Sequence, residues 1–360
     1  MLVISAQNCT HGFQTEQFSQ SSNQSFSTDP QISPTTPTLD PIVTPTPQPS
    51  ASPMPVHVSV PLYSSVDSST GILRHSLYVQ IGNSAPIQVL LDTGSSGLRI
   101  YSSVLSSSTY TPTNTPNQIS YGSGLVVKGT LGMATVTIGG VSTPQPIAIQ
   151  VITSDNLGTA GVNPILNSSG TGGPFGGYYG ILGARLADAN GAASPFVALG
   201  SEKWIIDLAV PNVSTMGTLT LNPTPTDLMG FTLFGLPTAP QGSGGWDDSS
   251  LSMCVNDLTA GYSVCQKTLM DSGAFNIKEY GDQTVATNIW PAGDSAELVY
   301  TSEAGQTVTQ PFTIASTPGT KVVLPHTTQG TGGTNTGQYM FYNYSVLYDY
   351  VNGNVGLKHR

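Results

Sequence analysis

Residues 89–96 read VLLDTGSS and residues 268–274 read TLMDSGA, so one short pattern occurs twice along the chain. In both copies an apolar run leads straight into an aspartate, a hydroxyl residue and a glycine. Such a run predicts a buried strand, and the glycine lets neighbouring backbone come close while the hydroxyl braces the turn. The two copies therefore predict two strands that each present one carboxylate, Asp92 or Asp271, at a tight turn.

Two such turns that face each other would bring their carboxylates into contact. Like charges at that distance cannot both ionise, so the pair would hold one proton between them. One acid could then take a proton from a water molecule while its partner protonates a substrate carbonyl. A single Asp-Thr-Gly is more often an ordinary turn, and it is the second copy that favours a paired site. Because Asp92 and Asp271 lie 179 residues apart, one chain can carry both acids on two similar lobes around a central cleft, and we expect a monomer.

The composition restricts the partners of this chain. Charged residues make up only 8% of it, against roughly 25% in ordinary globular proteins. A formal net charge of −10 argues against nucleic acid and anionic membranes as partners. No apolar stretch approaches the roughly 18–20 residues that span a bilayer, so no membrane span is expected. The five histidines are spread without metal-ligand spacing, and we expect no metal and no other cofactor.

The N-terminal part of the chain differs in composition from the remainder. Residues 1–56 are rich in Pro, Thr and Ser and nearly lack core-forming side chains, which predicts a disordered tail or surface stalk. Residues 1–6 are too short for a complete signal peptide, so we expect a signal sequence that lies upstream of them or has been removed, and lipidation at Cys9 is the alternative. We expect a secreted or cell-surface protein.

From residue 57 onward the pattern is that of strands. Short apolar or alternating runs, such as residues 77–81 (LYVQI) and 134–138 (ATVTI), recur between Gly, Pro, Asn and Ser, and helical periodicity is scarce. We predict an all-β protein with an N-terminal lobe at residues 57–213, which carries Asp92, and a C-terminal lobe at residues 214–360, which carries Asp271.

Several further segments resemble the pepsin-like aspartic proteases, in the order in which that family has them. Residues 119–124 (ISYGSG) resemble the flap, a β-hairpin whose tyrosine closes over substrate. Residues 179–183 (YGILG) resemble the segment that passes behind the first catalytic loop, and residues 344–357 resemble the closing strands. The resemblance covers the chain from about residue 70 to its end and implies a bilobal fold with two pseudo-twofold-related β lobes and a central cleft.

The resemblance implies a role for a small set of residues. Asp92 and Asp271 would carry the catalytic carboxylates. The residues that would support this dyad, by bracing the loops or hydrogen-bonding to the acids, are Thr93, Gly94, Ser95, Ser272 and Gly273. The flap residues that would close over an extended peptide or bind it are Tyr121, Gly122 and Ser123.

Two cysteines, Cys254 and Cys265, lie shortly before the second aspartate. A disulfide between them would stiffen the approach to Asp271 and indicate an oxidising compartment, and two buried free thiols are the alternative. Pepsin-like proteases have a small disulfide near this point, so the resemblance favours the bond, with a longer loop than usual.

Three departures from the family pattern lead to predictions. Ala274 stands where many members have a hydroxyl, so we expect Asp271 to lack one hydrogen-bond donor and the dyad to work at a less acid pH. Arg99 replaces the tryptophan that usually supports the flap tyrosine, and it could stack on Tyr121, face solvent or pair with a nearby acid. Residues 335–337 (NTG) stand where two apolar residues and a glycine are expected, so either this part of the second lobe is built differently or the alignment is shifted.

The function that the resemblance implies is that of an aspartic endopeptidase. It would hydrolyse extended peptide or protein substrates at acidic pH, prefer apolar side chains beside the scissile bond, and bind pepstatin-like inhibitors. One alternative is a catalytically silent pepsin-like binding or surface protein, although such relatives typically lose a catalytic acid. Another is a carbohydrate-handling β protein with two scattered acids, which leaves the flap-like segment unexplained.

Overall fold

The computed structural model describes residues 56–66, 73–122, 124–155, 178–187, 191–240, 244–280, 290–323 and 333–360. The predicted tail of residues 1–56 lies outside the described residues except for Val56, and the flap residue Ser123 also lies outside them. Residues Pro53–Arg360 form one compact unit.

Strands make up most of the described residues, which confirms the all-β prediction. In chain order they are β1 (Val58–Val66), β2 (Leu73–Ile81), β3 (Ile87–Asp92), β4 (Ser96–Tyr101), β5 (Thr111–Ser120), β6 (Val126–Ala134), β7 (Val136–Ile138), β8 (Val141–Ser142), β9 (Ile147–Asp155), β10 (Gly180–Ala184), β11 (Lys203–Asp207), β12 (Met216–Leu221), β13 (Thr232–Gly235), β14 (Leu251–Asp257), β15 (Tyr262–Leu269), β16 (Ile277–Glu279), β17 (Ser295–Thr301), β18 (Thr307–Thr313), β19 (Val322–Val323), β20 (Thr334–Asn335), β21 (Tyr344–Asp349) and β22 (Asn354–His359). The described helical segments are single turns, at Ser102–Val104, Pro195–Ala198 and Tyr339–Asn343. None of the helices in the described ranges is long and apolar enough to cross a membrane.

Hydrogen bonding joins the described strands into two sheets. The larger has fifteen strands, thirteen of them in the order β13-β22-β21-β11-β12-β1-β2-β3-β10-β4-β9-β6-β5, with β7 and β8 attached through β2. The smaller has seven strands in the order β18-β17-β14-β15-β20-β16-β19. Because β21 pairs with β11 and β22 with β13, the last strands of the chain complete the larger sheet.

Strand alternation produces one continuous core. On β2, Leu77 and Val79 are buried while Tyr78 between them is exposed, as the two-residue period of a strand requires. Leu91 and Met270, which directly precede the two aspartates, belong to the same buried apolar cluster. One core therefore supports both turns.

A four-strand motif occurs twice. In the first copy β10 lies between β3 and β4, parallel to β3 and antiparallel to β4, and β9 runs parallel to β4 on its other side. In the second copy β20 lies between β15 and β16 in the same two senses, and β19 runs parallel to β16. The two halves thus repeat one another in topology, as pseudo-twofold-related lobes require.

The predicted disulfide is confirmed. Cys254 on β14 faces Cys265 on β15 across an antiparallel pair, and their sulfur atoms are bonded. The alternative of two free thiols is therefore wrong. Because β15 leads directly towards Asp271, the bond ties the strand that presents the second acid to its neighbour.

Candidate active site

Two turns present the paired aspartates. β3 ends at Asp92, and β15 ends at Leu269, two residues before Asp271. β3 is held in place because it is buried along nearly all of its length, and β15 because Thr268 is buried and Tyr262 and Val264 pack on the core. Asp92 is only 7% exposed, so its carboxyl group is largely removed from bulk water.

The two turns are locked together by the side chains of Thr93 and Ser272. The Thr93 hydroxyl accepts a hydrogen bond from the Ser272 N–H (2.8 Å) and donates one to the Met270 carbonyl (2.8 Å). The Ser272 hydroxyl accepts from the Thr93 N–H (3.0 Å) and donates to the Leu91 carbonyl (2.9 Å). Both residues are buried, so the loss of either hydroxyl would leave two buried backbone groups without partners.

Asp92 is held by donors from its own turn. Its Oδ1 accepts a hydrogen bond from the Gly94 N–H at 2.9 Å, and its Oδ2 accepts one from the Ser95 hydroxyl at 2.6 Å. Both bonds favour the ionised carboxylate. They also orient the carboxyl group towards the opposite turn.

Asp271 has the same number of donors, but one of them comes from another strand. Its Oδ1 accepts from the Gly273 N–H at 2.8 Å, and its Oδ2 accepts from the side-chain amide of Asn335 at 2.6 Å. The expectation that Asp271 lacks a donor because of Ala274 is therefore wrong. The Asn335 amide on β20 supplies the hydrogen bond that a hydroxyl at position 274 was expected to supply.

Residues 335–337 occupy the same place in the second half as residues 181–183 do in the first. Asn335 lies opposite Leu269 on β15, and the Thr336 N–H donates to the Leu269 carbonyl. In the first half Gly183 lies opposite Asp92. The alignment is therefore correct, and the second half has polar residues where the first has apolar ones.

The glycines at the two turns allow the carboxyl groups to meet. A methyl group on Gly94 would lie 2.6 Å from the carboxyl carbon of Asp271, and one on Gly273 would lie 2.5 Å from Oδ1 of Asp92. Each acid therefore lies against the glycine of the opposite turn. Any side chain at either glycine would push an acid out of the pair.

Burial and the proximity of the second acid shift the ionisation of Asp92. Burial, the charge of Asp271 and a hydrogen bond with Asp271 raise the pKa of Asp92 to about 7, against the opposing effect of the bonds from Ser95 and Gly94. Below about pH 7 Asp92 therefore carries the proton of the pair.

Two residues outside the turns, Gln338 and Arg74, hydrogen-bond to the backbone of the second turn. Neither of them was identified from the sequence. The side-chain amide of Gln338 donates to the carbonyls of Ser272 (2.8 Å) and Leu73 (3.0 Å). The Arg74 guanidinium donates to the Gly273 carbonyl (3.1 Å). The only sequence feature that could have indicated a role for Gln338 is its position directly after residues 335–337. No neighbouring motif indicates a role for Arg74.

The predicted flap is a β-hairpin formed by β5 and β6. Its turn is closed by a hydrogen bond from the Tyr121 N–H to the Leu125 carbonyl (2.8 Å), and Gly122 is exposed at the tip. The Tyr121 ring packs against two buried clusters, which contain Leu90, Tyr178 and Ile181 on one side and Tyr101, Leu125, Val127 and Ile152 on the other. The ring therefore covers the sheet beside the first acid.

Arg99 on β4 is fully buried, at 0% exposed. Its Nη1 donates to the carbonyls of Ser96 and Gly97, and it forms no ion pair with a carboxylate among the described residues. The expectation that Arg99 faces solvent or pairs with a nearby acid is wrong. It lies beside Tyr121, where burial raises the pKa of the Tyr121 hydroxyl and the charge of Arg99 opposes that rise.

Comparison with known proteins agrees with this architecture. The crystal structure of an aspartic proteinase from Irpex lacteus is similar with a TM-score of 0.58 at 17% sequence identity, over 84% of this chain and 97% of that chain. The likeness shows the fold, and the predicted all-β, bilobal pepsin-like fold is thereby confirmed. A family model described as a protein of unknown function (DUF3443) matches residues 84–193. No curated protein matches the chain.

Proposed function

We propose that the chain is an aspartic endopeptidase that hydrolyses extended polypeptides at acidic pH. The observation that supports this most strongly is the arrangement of Asp92 and Asp271, each against the glycine of the opposite turn and each with two hydrogen-bond donors. A buried acid such as Asp92, held against a second acid, would be costly without a use for its proton. The fold, which is also that of an aspartic proteinase, agrees with the proposal.

The dyad would act on a water molecule bound between its carboxyl groups. The ionised member takes a proton from the water, and the water oxygen bonds to the carbonyl carbon of the scissile peptide. The protonated member gives its proton to the carbonyl oxygen, which yields a tetrahedral diol. A proton from the dyad then passes to the peptide nitrogen and the C–N bond breaks. One hydroxyl of the diol returns its proton to the dyad as it becomes the carbonyl of the carboxylic acid, so the dyad again holds one proton.

The flap would hold the substrate over the dyad. An extended peptide between the hairpin and the turns would pair with main-chain groups of Gly122, Ser123 and Gly273, as a strand pairs with a sheet edge. Tyr121 would close over the reacting bond and exclude water, which strengthens the electrostatic interactions of the site. Pepstatin-like inhibitors would occupy the same groove.

The proposed setting is extracytoplasmic, with residues 57–213 and 214–360 as the two lobes of a monomer. The disulfide between Cys254 and Cys265 supports this setting, because such bonds persist in oxidising compartments.

Hydrolysis of a denatured protein tests the proposal. Rates would be measured across roughly pH 2–7 for wild type, Asp92→Asn, Asp271→Asn and the surface control Glu303→Gln, with and without pepstatin. We expect either aspartate variant to lose activity by on the order of 1,000-fold or more, pepstatin to inhibit wild type, and Glu303→Gln to remain active. Hydrolysis that neither the inhibitor nor the substitutions affect would contradict the mechanism. Pepstatin binding without any hydrolysis would favour the catalytically silent alternative.

A further inference from the structure

One edge of the buried Arg99 guanidinium has no partner of ordinary hydrogen-bond geometry, although the Tyr121 hydroxyl interacts with this guanidinium. Nη1 is bound to two carbonyl groups, whereas Nε and Nη2 make no hydrogen bond of ordinary geometry with a described residue. The side chain is fully buried. A buried cation without a partner is costly, so a ligand for these two donors is expected.

The chemistry of that edge defines the ligand. Nε–H and Nη2–H of an arginine point in parallel and match the two oxygens of one carboxylate. A neutral amide has only one acceptor oxygen and carries no charge, so it satisfies the edge poorly. A carboxylate is therefore the group that fits Arg99 best.

Strand register places this edge beside the catalytic pair. Leu90 on β3 lies opposite Ile181 on β10, and Ile181 lies opposite Arg99 on β4, so the three side chains share one face of the sheet. Asp92 shares that face because it lies two residues after Leu90. Tyr121 packs on Leu90 and Ile181, so Arg99 lies under the flap tyrosine on the face that carries the first acid.

The second half has a cation at the equivalent position. Lys278 on β16 lies opposite Asn335 on β20, and the Asn335 amide binds Asp271, so Lys278 shares the face of the second acid. Arg99 and Lys278 each follow their aspartate by seven residues. Cations on both sides of the dyad favour an anionic substrate, even though the formal net charge of the chain is −10.

We propose that Arg99, under the flap, binds a carboxylate of the substrate, so that the enzyme prefers a Glu or Asp side chain at one position beside the scissile bond. This inference rests on the proposed endopeptidase function and replaces, at that position, the apolar preference implied by the family resemblance. The Tyr121 ring covers Arg99 and moves aside as the peptide enters. The acidic side chain then takes its place against the guanidinium.

Matched peptides test this preference. Pairs of short peptides that differ only by Glu or Gln, at one position at a time, would be cleaved at about pH 6, where a Glu side chain is ionised. At one position we expect kcat/KM to be higher for the Glu peptide by on the order of 10-fold to 100-fold, as for a charged hydrogen-bonded pair. Equal cleavage of every pair by wild type would overturn the proposal.

Two variants locate the cause of the preference. Arg99→Met is expected to remove the preference while still cleaving the Gln peptides, which shows that the variant is folded. Lys321→Met removes an exposed cation outside the flap and is expected to keep the preference. A Glu preference that survives Arg99→Met would assign it to another residue and overturn the proposal.

Equilibrium binding separates this inference from the proposed function. Fluorescently labelled Glu and Gln peptides would be titrated with Asp92→Asn and with Asp92→Asn/Arg99→Met, neither of which needs to cleave them. Tighter binding of the Glu peptide that only the double variant loses supports the carboxylate site, even where wild type cleaves nothing. Equal binding of the two peptides by Asp92→Asn contradicts the site, even where wild type is an active protease.

Discussion

The two halves that carry Asp92 and Asp271 share a backbone motif but build its hydrogen bonds from different residues. β10 lies between β3 and β4 as β20 lies between β15 and β16. In the first half the side-chain donor to the acid is Ser95, from the turn itself. In the second half it is Asn335, from the inserted strand. The distance from donor to carboxylate oxygen is 2.6 Å in both.

This difference shows that the pseudo-twofold relation preserves the geometry at the carboxylates rather than the identity of the residues around them. Residues 181–183 are apolar before their glycine, whereas residues 335–337 are polar and contribute a hydrogen bond to the acid. An asparagine on the neighbouring strand β20 therefore offsets the loss of a hydroxyl from the turn. The two acids remain equivalent although their surroundings are not.

Substitution of Gly94 or Gly273 is expected to disturb the matched geometry of the two acids most strongly. Gly94→Ala and Gly273→Ala would each place a methyl group within 2.6 Å of the opposite acid. We expect each to lower kcat/KM by on the order of 100-fold or more, because a displacement of about 1 Å suffices for that loss. Peptide hydrolysis measures it, with Gly235→Ala as the control, because a methyl group there would meet only the Asn354 side chain, at 3.9 Å. Full activity in either variant would show that the turns are farther apart than described.

Substitution of the Thr93 and Ser272 hydroxyls tests, through protein stability, whether the two turns contribute equally to the contact between them. Thr93→Val and Ser272→Ala each leave one N–H and one carbonyl unpaired in the core. We expect each to lower the free energy of unfolding by about 2–4 kcal/mol, measured by urea denaturation. Thr137→Val, which removes a surface hydroxyl pair with Ser142, is expected to change it by less than about 0.5 kcal/mol. A large decrease in the free energy of unfolding in only one of the two core variants would mean that the hydroxyl of one turn alone holds the two turns together.

Removal of the side-chain donors Ser95 and Asn335 tests, through the pH dependence of hydrolysis, whether they act in the same way on their two acids. Removing a donor disfavours the ionised form. Asn335→Leu is therefore expected to move the acid limb of the pH-rate profile upward by about one pH unit, whereas Ser95→Ala is expected to move the alkaline limb upward, because Asp92 is the acid that holds the proton. Ala274→Ser alone is expected to leave the acid limb in place, because Asn335 already binds Asp271. In the Asn335→Leu background it should move the limb back. A downward shift from Ala274→Ser alone would mean that Asn335 does not replace the hydroxyl.

The features that could be predicted from the sequence are those that depend on residues close together in the chain. The strand-aspartate-glycine pattern of residues 89–96 and 268–274 and the cysteines on β14 and β15 are local, and the all-β fold follows from short alternating runs. The bond from Asn335 to Asp271 joins residues 64 apart, and that from Arg74 to Gly273 joins residues 199 apart. These contacts depend on the register of β20 and on where β2 begins, which no spacing in the sequence specifies.

The burial of Arg99 could not be predicted for a related reason. Arginine is rarely fully buried without a partner, so the sequence favoured exposure or an ion pair. Its position depends on the flap tyrosine and on Ile181, which reach β4 from distant parts of the chain. The same residue then becomes the main candidate for substrate selection.

The proton shared by Asp92 and Asp271 is the central claim, and a carboxyl titration tests it most directly. The protein would be labelled with carbon-13 at its aspartate carboxyl groups and followed by NMR from acid to neutral pH, for wild type, Asp92→Asn and Asp271→Asn. Wild type is predicted to show one carboxyl that titrates with a pKa of about 7. That transition should be absent from Asp92→Asn and should move to lower pH in Asp271→Asn, because the neighbouring charge is gone. A wild-type spectrum without such a transition, or one that Asp271→Asn leaves unchanged, would contradict the account.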